Sequence, residues 1–274
     1  MSALGDVTVG IPVCDDEPRV LSLVLDALAA ERFPHPPIIV DMSSTERIGE
    51  LLRARRDVVR YGRFRDSAGV SASRNRIVEL TRTRYLLSLD ADAVPAPGWG
   101  RALRRAFDED ERAALVAARV VPVWPRTAPP LFRTTLALEL LGMLDLGEQP
   151  IEVPRVMGTS YALDLERLPD VPFRPELGRR PGRLLSWEEV QLSLDVLSAG
   201  WRIRYEPRAV VRHHVRMERV SWHWMLRRAY VAGQERCLSP KRLEPFPRRL
   251  DAGDRAFQAV TAPAFLTGRL RGAR

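Results

Sequence analysis

Two carboxylates one residue apart, Asp90 and Asp92, follow directly on the apolar run Tyr85–Leu89 (YLLSL). Inside a strand such residues would point to opposite faces of the sheet. In the turn beyond its end both can approach one ion. Hard divalent cations prefer carboxylate oxygens, and Mg²⁺ or Mn²⁺ commonly shares such a site with a substrate diphosphate. A metal held there neutralises a departing nucleoside diphosphate by electrostatic and Lewis-acid action. A solvated acidic turn is the plainer alternative, but the apolar strand before the pair and Pro95 and Pro97 after it favour the metal.

The elements that must position these acids read as strands alternating with helices. Val7–Val13 (VTVGIPV) is a buried β-branched strand, and Pro18 fits the first turn of a helix carried by Val20, Leu21, Val24, Leu25 and Leu28, with Asp15 and Asp16 as candidate caps. Residues 38–40 form a second strand ending at Asp41, Ser43–Thr45 a polar turn able to start a helix, and residues 58–61 a third strand. The spacing predicts helices over 70–80 and 99–107 and a strand over 115–121. Alternation of this kind implies an α/β fold, a largely parallel sheet with helices on both faces, whose ligands bind at the carboxyl ends of the strands. Asp41, Asp90 and the loop after Val13 all stand at such ends.

The second half is less regular. A helix is expected over 131–146, a Gly, Pro and Arg-rich loop over 174–182, and a helix over 186–199 with Ser186 as cap and Glu188 and Glu189 in its first turn. Acids in a first turn suit the helix dipole whether or not they do chemistry. Short strands are expected at 203–205 and 209–211, then an amphipathic helix over 220–234. Arg219, Arg227 and Arg228 can contact a diphosphate or an anionic acceptor, with a solvated face of that helix the plainer account for most of them; Trp187, Trp222 and Trp224 can stack on sugar or acceptor rings or simply pack in a core. Residues 237–274 read as a basic, partly mobile tail.

The 274 residues carry a net charge of +8, are 45% hydrophobic and contain a single lysine, Lys241. The arginines are interleaved with Asp and Glu, which fits a GC-rich coding sequence better than a polyanion-binding run. Cys14 and Cys237 have neither disulfide-framework nor metal-ligand spacing. No signal peptide and no membrane-spanning run is legible, so a reduced cytoplasmic protein is expected, with contact at the inner membrane face left open.

The segment SASRNRIVELTRTRYLLSLDADAVPAPGW resembles the family-2 glycosyltransferases of the GT-A fold. That family places an Ala-Arg-Asn-like motif, a helix, an apolar strand, Asp-x-Asp and a Pro-Gly-Trp-like turn in this order; Arg74, Asn75, Asp90, Asp92, Pro97, Gly98 and Trp99 fall in those places. The resemblance implies that Asp90 lies near the ribose and metal, that Asp92 coordinates Mn²⁺ or Mg²⁺, and that Arg74 lies near the donor. VTVGIPVCDDE resembles the first strand and nucleotide-contacting loop, which puts Pro12, Val13 and Asp16 beside the nucleoside. IIVDMSST resembles the strand ending in Asp-Asp-x-Ser: Asp41 matches the first acid, and Met42 replaces the second, which leaves the base open among UDP-, GDP- and dTDP-linked donors.

The resemblance continues in SWEEVQLSLDVLSAGWRIRYEPRAVVRHH. It implies that Glu189 takes the place of the family's catalytic Asp, with Glu188 as alternate, removing a proton from the acceptor hydroxyl during an inverting transfer. It implies a metal-coordinating role for His213, with His214 as the confounding neighbour, and it sets Met157, Gly158, Thr159 and Ser160 beneath the donor sugar and acceptor, close to Trp187. The division implied is a donor half over 1–125, an acceptor half over 126–236 and the basic tail. Rival readings are a retaining transferase of the same fold, a nucleotidyltransferase that releases pyrophosphate, and a basic nucleic-acid-binding module. The last lacks any helix-turn-helix, zinc or RNA-recognition motif, so nucleic acid is not the expected partner.

Overall fold

The computed structural model describes residues 4–55, 59–64, 69–170, 172–180, 184–238 and 244–272. Its first half is a parallel sheet. Strands β1 (Val7–Val13), β2 (Ile38–Asp41), β3 (Arg60–Arg63) and β4 (Tyr85–Leu89) lie in the order β3-β2-β1-β4. The expected third strand over 58–61 is displaced to β3, and residue 58 itself lies outside the described residues. Every residue of β1 and β4 is buried, which is why both read as unbroken apolar runs. Helices α1 (Pro18–Glu31), α2 (Arg47–Arg53) and α3 (Val70–Leu80) make the crossovers. Gly10 lets α3 approach β1: a Cβ there would overlap the Ile77 side chain.

Register aligns Val13 with Asp41, so the loops leaving β1 and β2 run side by side. The Met42 amide donates to the Val13 carbonyl at 2.8 Å, and the Asp15 amide to Ser43 Oγ at 2.9 Å. The expected capping of α1 by Asp15 or Asp16 does not occur. Asp16 accepts from the Cys14 amide at 2.9 Å, and Asp15, at φ 50°, accepts from Ser44. Both carboxylates are turned to the loops, and α1 starts at Pro18 without a side-chain cap.

Beyond β4 the same sheet continues. Strand β8 (Ser160–Asp164) runs antiparallel between β4 and β6 (Ala113–Val123), and β6 pairs in parallel with β9 (Arg202–His214). Short β5 (Ala93–Pro95) and β7 (Ile151–Glu152) add antiparallel edges to β9. Among the described residues the nine strands make one curled sheet flanked by helices α4 (Trp99–Glu109), α5 (Thr135–Leu140), α6 (Glu188–Ser198), α7 (Trp222–Glu235) and α8 (Ala252–Gly272). The two short strands expected at 203–205 and 209–211 are one: pairing with β6 slips between Glu206 and Val210, and this bulge accommodates Pro207. The helix expected over 131–146 shrinks to a 3₁₀ turn and α5, because Gly142 adopts φ 85° and Leu144 pairs with Val120.

The tail expected to be partly mobile carries a helix over residues 252–272, α8, which packs across α7. Phe257 stacks on Trp222 with ring centroids 6.1 Å apart, and fully buried Asp254 accepts from the Leu136 amide at the start of α5 at 2.8 Å. Glycines permit the crossing: a Cβ on Gly233 would overlap the Phe265 carbonyl oxygen, and one on Gly268 the Tyr230 carbonyl oxygen. Backbone cannot swing aside as a side chain can. Gly233→Ala and Gly268→Ala are therefore each expected to cost about 1–3 kcal/mol, read as a lowered melting temperature. Unchanged melting of both variants would exclude this crossing.

Candidate active site

The carboxyl ends of β1, β2 and β4 open on a cleft of ≈ 370 Å³. Its walls include Pro12, Val13, Asp16 and Met42 from the first two loops, Asp90 and Asp92 from the turn after β4, and Arg179, Arg216, Arg219 and Trp224 from the second half. The strand-end acids thus face four residues whose sequence separation from them is large.

Arg74, on the third residue pair of α3, connects the two halves. Its side chain is 4% exposed, pairs with Glu188 and with Asp90 (3.3 Å), and donates to the Gly158 carbonyl at 2.9 Å. A buried guanidinium is tolerable only with such anionic and carbonyl partners. The consequence is geometric: the acid pair opening α6 lies on the same side of the sheet as the turn after β4. Glu188 is 4% exposed and committed to Arg74, whereas Glu189 is half-buried and lies against Gly158, where an added Cβ would sit 3.2 Å from Glu189 Oε1. Burial, then the like charge of Glu188, pushes the Glu189 carboxyl up to about 8, against the pull of Arg74.

At the other end of the turn, His213 Nε2 lies 3.2 Å from Asp92 Oδ1. Strand pairing fixes this contact, since β5 sets Ala93 opposite His213 and the His214 amide donates to the Asp92 carbonyl at 2.8 Å. Both ring nitrogens of His213 are buried and, among the described residues, make no hydrogen bond. Arg216 pairs with Asp16 and stands 3.9 Å from Asp92. Burial would raise Asp92, but His213, Arg219 and Arg216 outweigh it and hold this carboxyl well below the usual range. Burial and the neighbouring Asp92 push Asp16 up to about 7, with Arg216 opposing. Asp90 is raised chiefly by burial, with Arg74 opposing.

The residues present fit a divalent cation, by the measure of a buried imidazole that makes no hydrogen bond among the described residues and lies 3.2 Å from a carboxylate. Among the described residues no group of three or more acidic, histidine or cysteine side chains is ready-made for a metal, and Asp90 pairs with Arg74. Two protein ligands with diphosphate oxygens completing the shell is the ordinary arrangement for Mg²⁺ or Mn²⁺.

Several residues occupy places other than those the sequence implied. Asp41 is fully buried, accepting from the Ser43 amide at 2.8 Å and from Tyr61 Oη at 3.0 Å; it latches the loop, and Met42 lines the cleft in its stead. Thr159 faces inward, its hydroxyl donating to the Gly142 carbonyl at 2.8 Å while its own carbonyl receives the Asp90 amide at 2.9 Å. Trp187 packs its ring with Leu177, Val190 and Leu194 and stays out of the cleft wall; Ser186 does not cap α6 but bonds Glu235. Trp187 takes φ 96° immediately before Glu188, a costly conformation for a non-glycine residue. Arg219 belongs to a 3₁₀ turn on the cleft, and Arg228 is buried on Glu235 and Ser186, so neither is part of a solvated helix face.

Arg179 and Arg216 were missing from the residues singled out in the sequence. Arg179 is carried by a segment stitched to α3: Asn75 bonds both backbone groups of Phe173, Ser71 Oγ donates to the Leu177 carbonyl at 2.7 Å, and the Val70 amide donates to the Arg179 carbonyl at 3.0 Å. Residues 181–183 of the expected 174–182 loop lie outside the described residues. Burial, then Arg219 and Arg228, lowers the Arg179 guanidinium, with Asp90 and Glu188 opposing. The available signal for Arg216 was its position three residues beyond His213.

The family described as Glycosyl transferase family 2 matches residues 8–159, more than half of the chain. The chain is 30% identical over 167 residues to the pre-mycofactocin glycosyltransferase of Mycobacterium tuberculosis, covering 61% of this chain and 34% of that protein. It is 24% identical over 172 residues to the glucosyl-dolichyl phosphate glucuronosyltransferase of Haloferax volcanii, covering 61% of this chain and 55% of that one. The chain thus spans between about a third and about half of the length of these curated relatives. In fold it is similar to the Pyrobaculum calidifontis mannosyltransferase PcManGT solved with GDP-Man and Mn²⁺ (TM-score 0.61, 18% identity, 98% of this chain and 72% of that one). It is also similar to S. aureus TarS solved with UDP-GlcNAc (TM-score 0.55, 14% identity, 97% of this chain and 73% of that one).

Proposed function

The chain belongs to glycosyl transferase family 2, and from that premise we propose that it moves a sugar from a nucleoside-diphosphate donor to an acceptor hydroxyl with inversion at the anomeric carbon. The observation that carries this reading is the Arg74 bridge, which sets the acid pair of α6 beside the Asp90 wall of the cleft.

In the proposed reaction Glu189 takes the acceptor proton while the acceptor oxygen attacks the anomeric carbon. The bond from that carbon to the diphosphate oxygen breaks, and its electron pair leaves with the nucleoside diphosphate. Arg179, Arg216 and Arg219 line the cleft and stabilise the charge that develops on the leaving group. Asp92 and His213 would hold Mn²⁺ or Mg²⁺, which when bound supplies Lewis-acid neutralisation of the diphosphate. Glu is one methylene longer than the Asp usual in the family, and Gly158 makes room for it: any side chain there would press on the Glu189 carboxylate. Pro12, Val13, Asp16 and Met42 form the nucleoside end of the cleft. A methionine offers a base no charged partner, so contacts to ribose and diphosphate carry most donor affinity. UDP, GDP and dTDP remain the candidate nucleotides, and GDP-Man and UDP-GlcNAc are the donors named for the similar structures.

The test is a thermal-shift screen of nucleoside diphosphates and their sugars with and without Mn²⁺. A ligand at about 100 times its Kd adds about 2.7 kcal/mol to the folded state, a shift of several degrees for a chain of this size. At least one nucleotide is expected to give that shift with Mn²⁺ and a smaller one without it. Stabilisation by none of them would refute the donor assignment. Nucleoside triphosphates with pyrophosphate release would replace it with nucleotidyl transfer.

A further inference from the structure

Helix α8 is clasped on one face and bare on the other. Asp254, Phe257, Thr261 and Gly268 are buried, whereas Val260, Leu266 and Leu270 are 45%, 55% and 71% exposed. With Ala256 and Pro263 these residues recur at intervals of three and four, so they form one apolar stripe along the outer surface of the helix. Arg255 and Arg269 lie on one border of the stripe and Arg271 on the other, all exposed. The single acid of α8 is Asp254, which is fully buried and bonded to the amides of Leu136 and Asp251. The outer face of α8 is therefore apolar and cationic with no anionic side chain of its own.

We propose that this face docks α8 in the plane of an anionic lipid bilayer, the leucines and Val260 sunk among the acyl chains and the three arginines set against lipid phosphates. The combination of an exposed apolar stripe with a cationic border is the chemistry of an interfacial helix. Spanning the bilayer is a different matter: among the described residues no helix is long and apolar enough to cross it. A second copy of this chain is the poorer occupant, because a two-fold contact through the stripe would bring Arg255, Arg269 and Arg271 against their own equivalents. The net charge of +8 adds a long-range attraction to an acidic surface. The inference does not depend on the sugar or nucleotide used. Its relation to the cleft is mechanical, since α7 carries Trp224 into the cleft in its first turn and holds α8 through Tyr230 and Gly233.

Flotation of the full chain with lipid vesicles tests the proposal. The wild type is expected to float with vesicles of phosphatidylcholine containing about a third phosphatidylglycerol and to stay below with phosphatidylcholine alone. Leu266→Ser with Leu270→Ser, and separately Arg269→Glu with Arg271→Glu, are each expected to lower partition onto the anionic vesicles about tenfold. Both pairs are expected to keep the wild-type melting temperature and nucleotide-dependent shift, since these side chains face outward. Should the serine pair melt lower, the arginine pair decides. Failure to float on anionic vesicles, or equal flotation of both variant pairs with wild type, overturns the proposal. So does a concentration-dependent dimer that the serine pair dissolves, which would make a second copy the occupant.

Discussion

Asp92→Ala is expected to lower kcat for sugar transfer by about a thousandfold or more, the loss of several kcal/mol of transition-state charge stabilisation. Asp92 lies 3.2 Å from His213, and His213, Arg219 and Arg216 hold its carboxyl below the usual range against the effect of burial. Alanine leaves a lone imidazole, which is a weak site for a hard cation. Two readouts belong together. Transfer by the variant should no longer respond to added Mn²⁺, and the Mn²⁺-dependent part of the nucleotide thermal shift should vanish while the metal-free part persists. A variant keeping a tenth or more of the wild-type rate would remove Asp92 from the leaving-group chemistry.

The second large effect falls on α6. Glu189→Gln keeps shape and removes the base, and a loss of about 10²–10⁴ in kcat is expected with nucleotide binding unchanged. In the wild type a base held near 8 carries its proton at neutral pH. Transfer needs the deprotonated form, so kcat/KM should climb with pH, close to tenfold per unit below that value, and level off above it. Glu188→Gln separates the two acids. It removes the like charge that raises Glu189, so the rising limb should move to lower pH with kcat retained at its plateau. Were Glu188 the base, that variant would be inactive and Glu189→Gln would survive.

The turn that carries Asp90 and Asp92 was legible in the sequence because a short, wholly buried parallel strand announces itself as an apolar run, and the two acids stand at its end. The bounds of α3 agreed residue for residue for a related reason: its apolar spacing switches on after Gly69 and ends before Thr81. The partners of those acids were a harder matter. Nothing local in Ser160–Asp164 says that it enters the sheet antiparallel between β4 and β6, and that insertion is what carries Gly158 and Thr159 to the turn. Arg179 and Arg216 acquire meaning only once the sheet has curled, since each meets its neighbours across separations that periodicity does not encode. Trp187 shows a choice that local sequence leaves open. An indole beside two acids can be a sugar platform or core, and its ring completes a satellite apolar cluster while its backbone, at φ 96°, turns the chain into α6. The C-terminal helix escaped notice because Pro263 and three glycines interrupt a pattern that tertiary contact with α7 restores.

The single guanidinium of Arg74 has a bearing on how such a protein can be cut or recombined. It draws anionic and carbonyl partners from the turn after β4, the chain before β8 and the start of α6. A fragment ending near residue 125 would leave that cation with Asp90 alone, with Glu188, the Gly158 carbonyl, Tyr161 and Phe173 all gone from around it. A chimera that imports a foreign C-terminal half must bring its own counter-charge to the same spot. The parts of the chain on either side of residue 125 thus share one ion-pair network and cannot be exchanged independently of it.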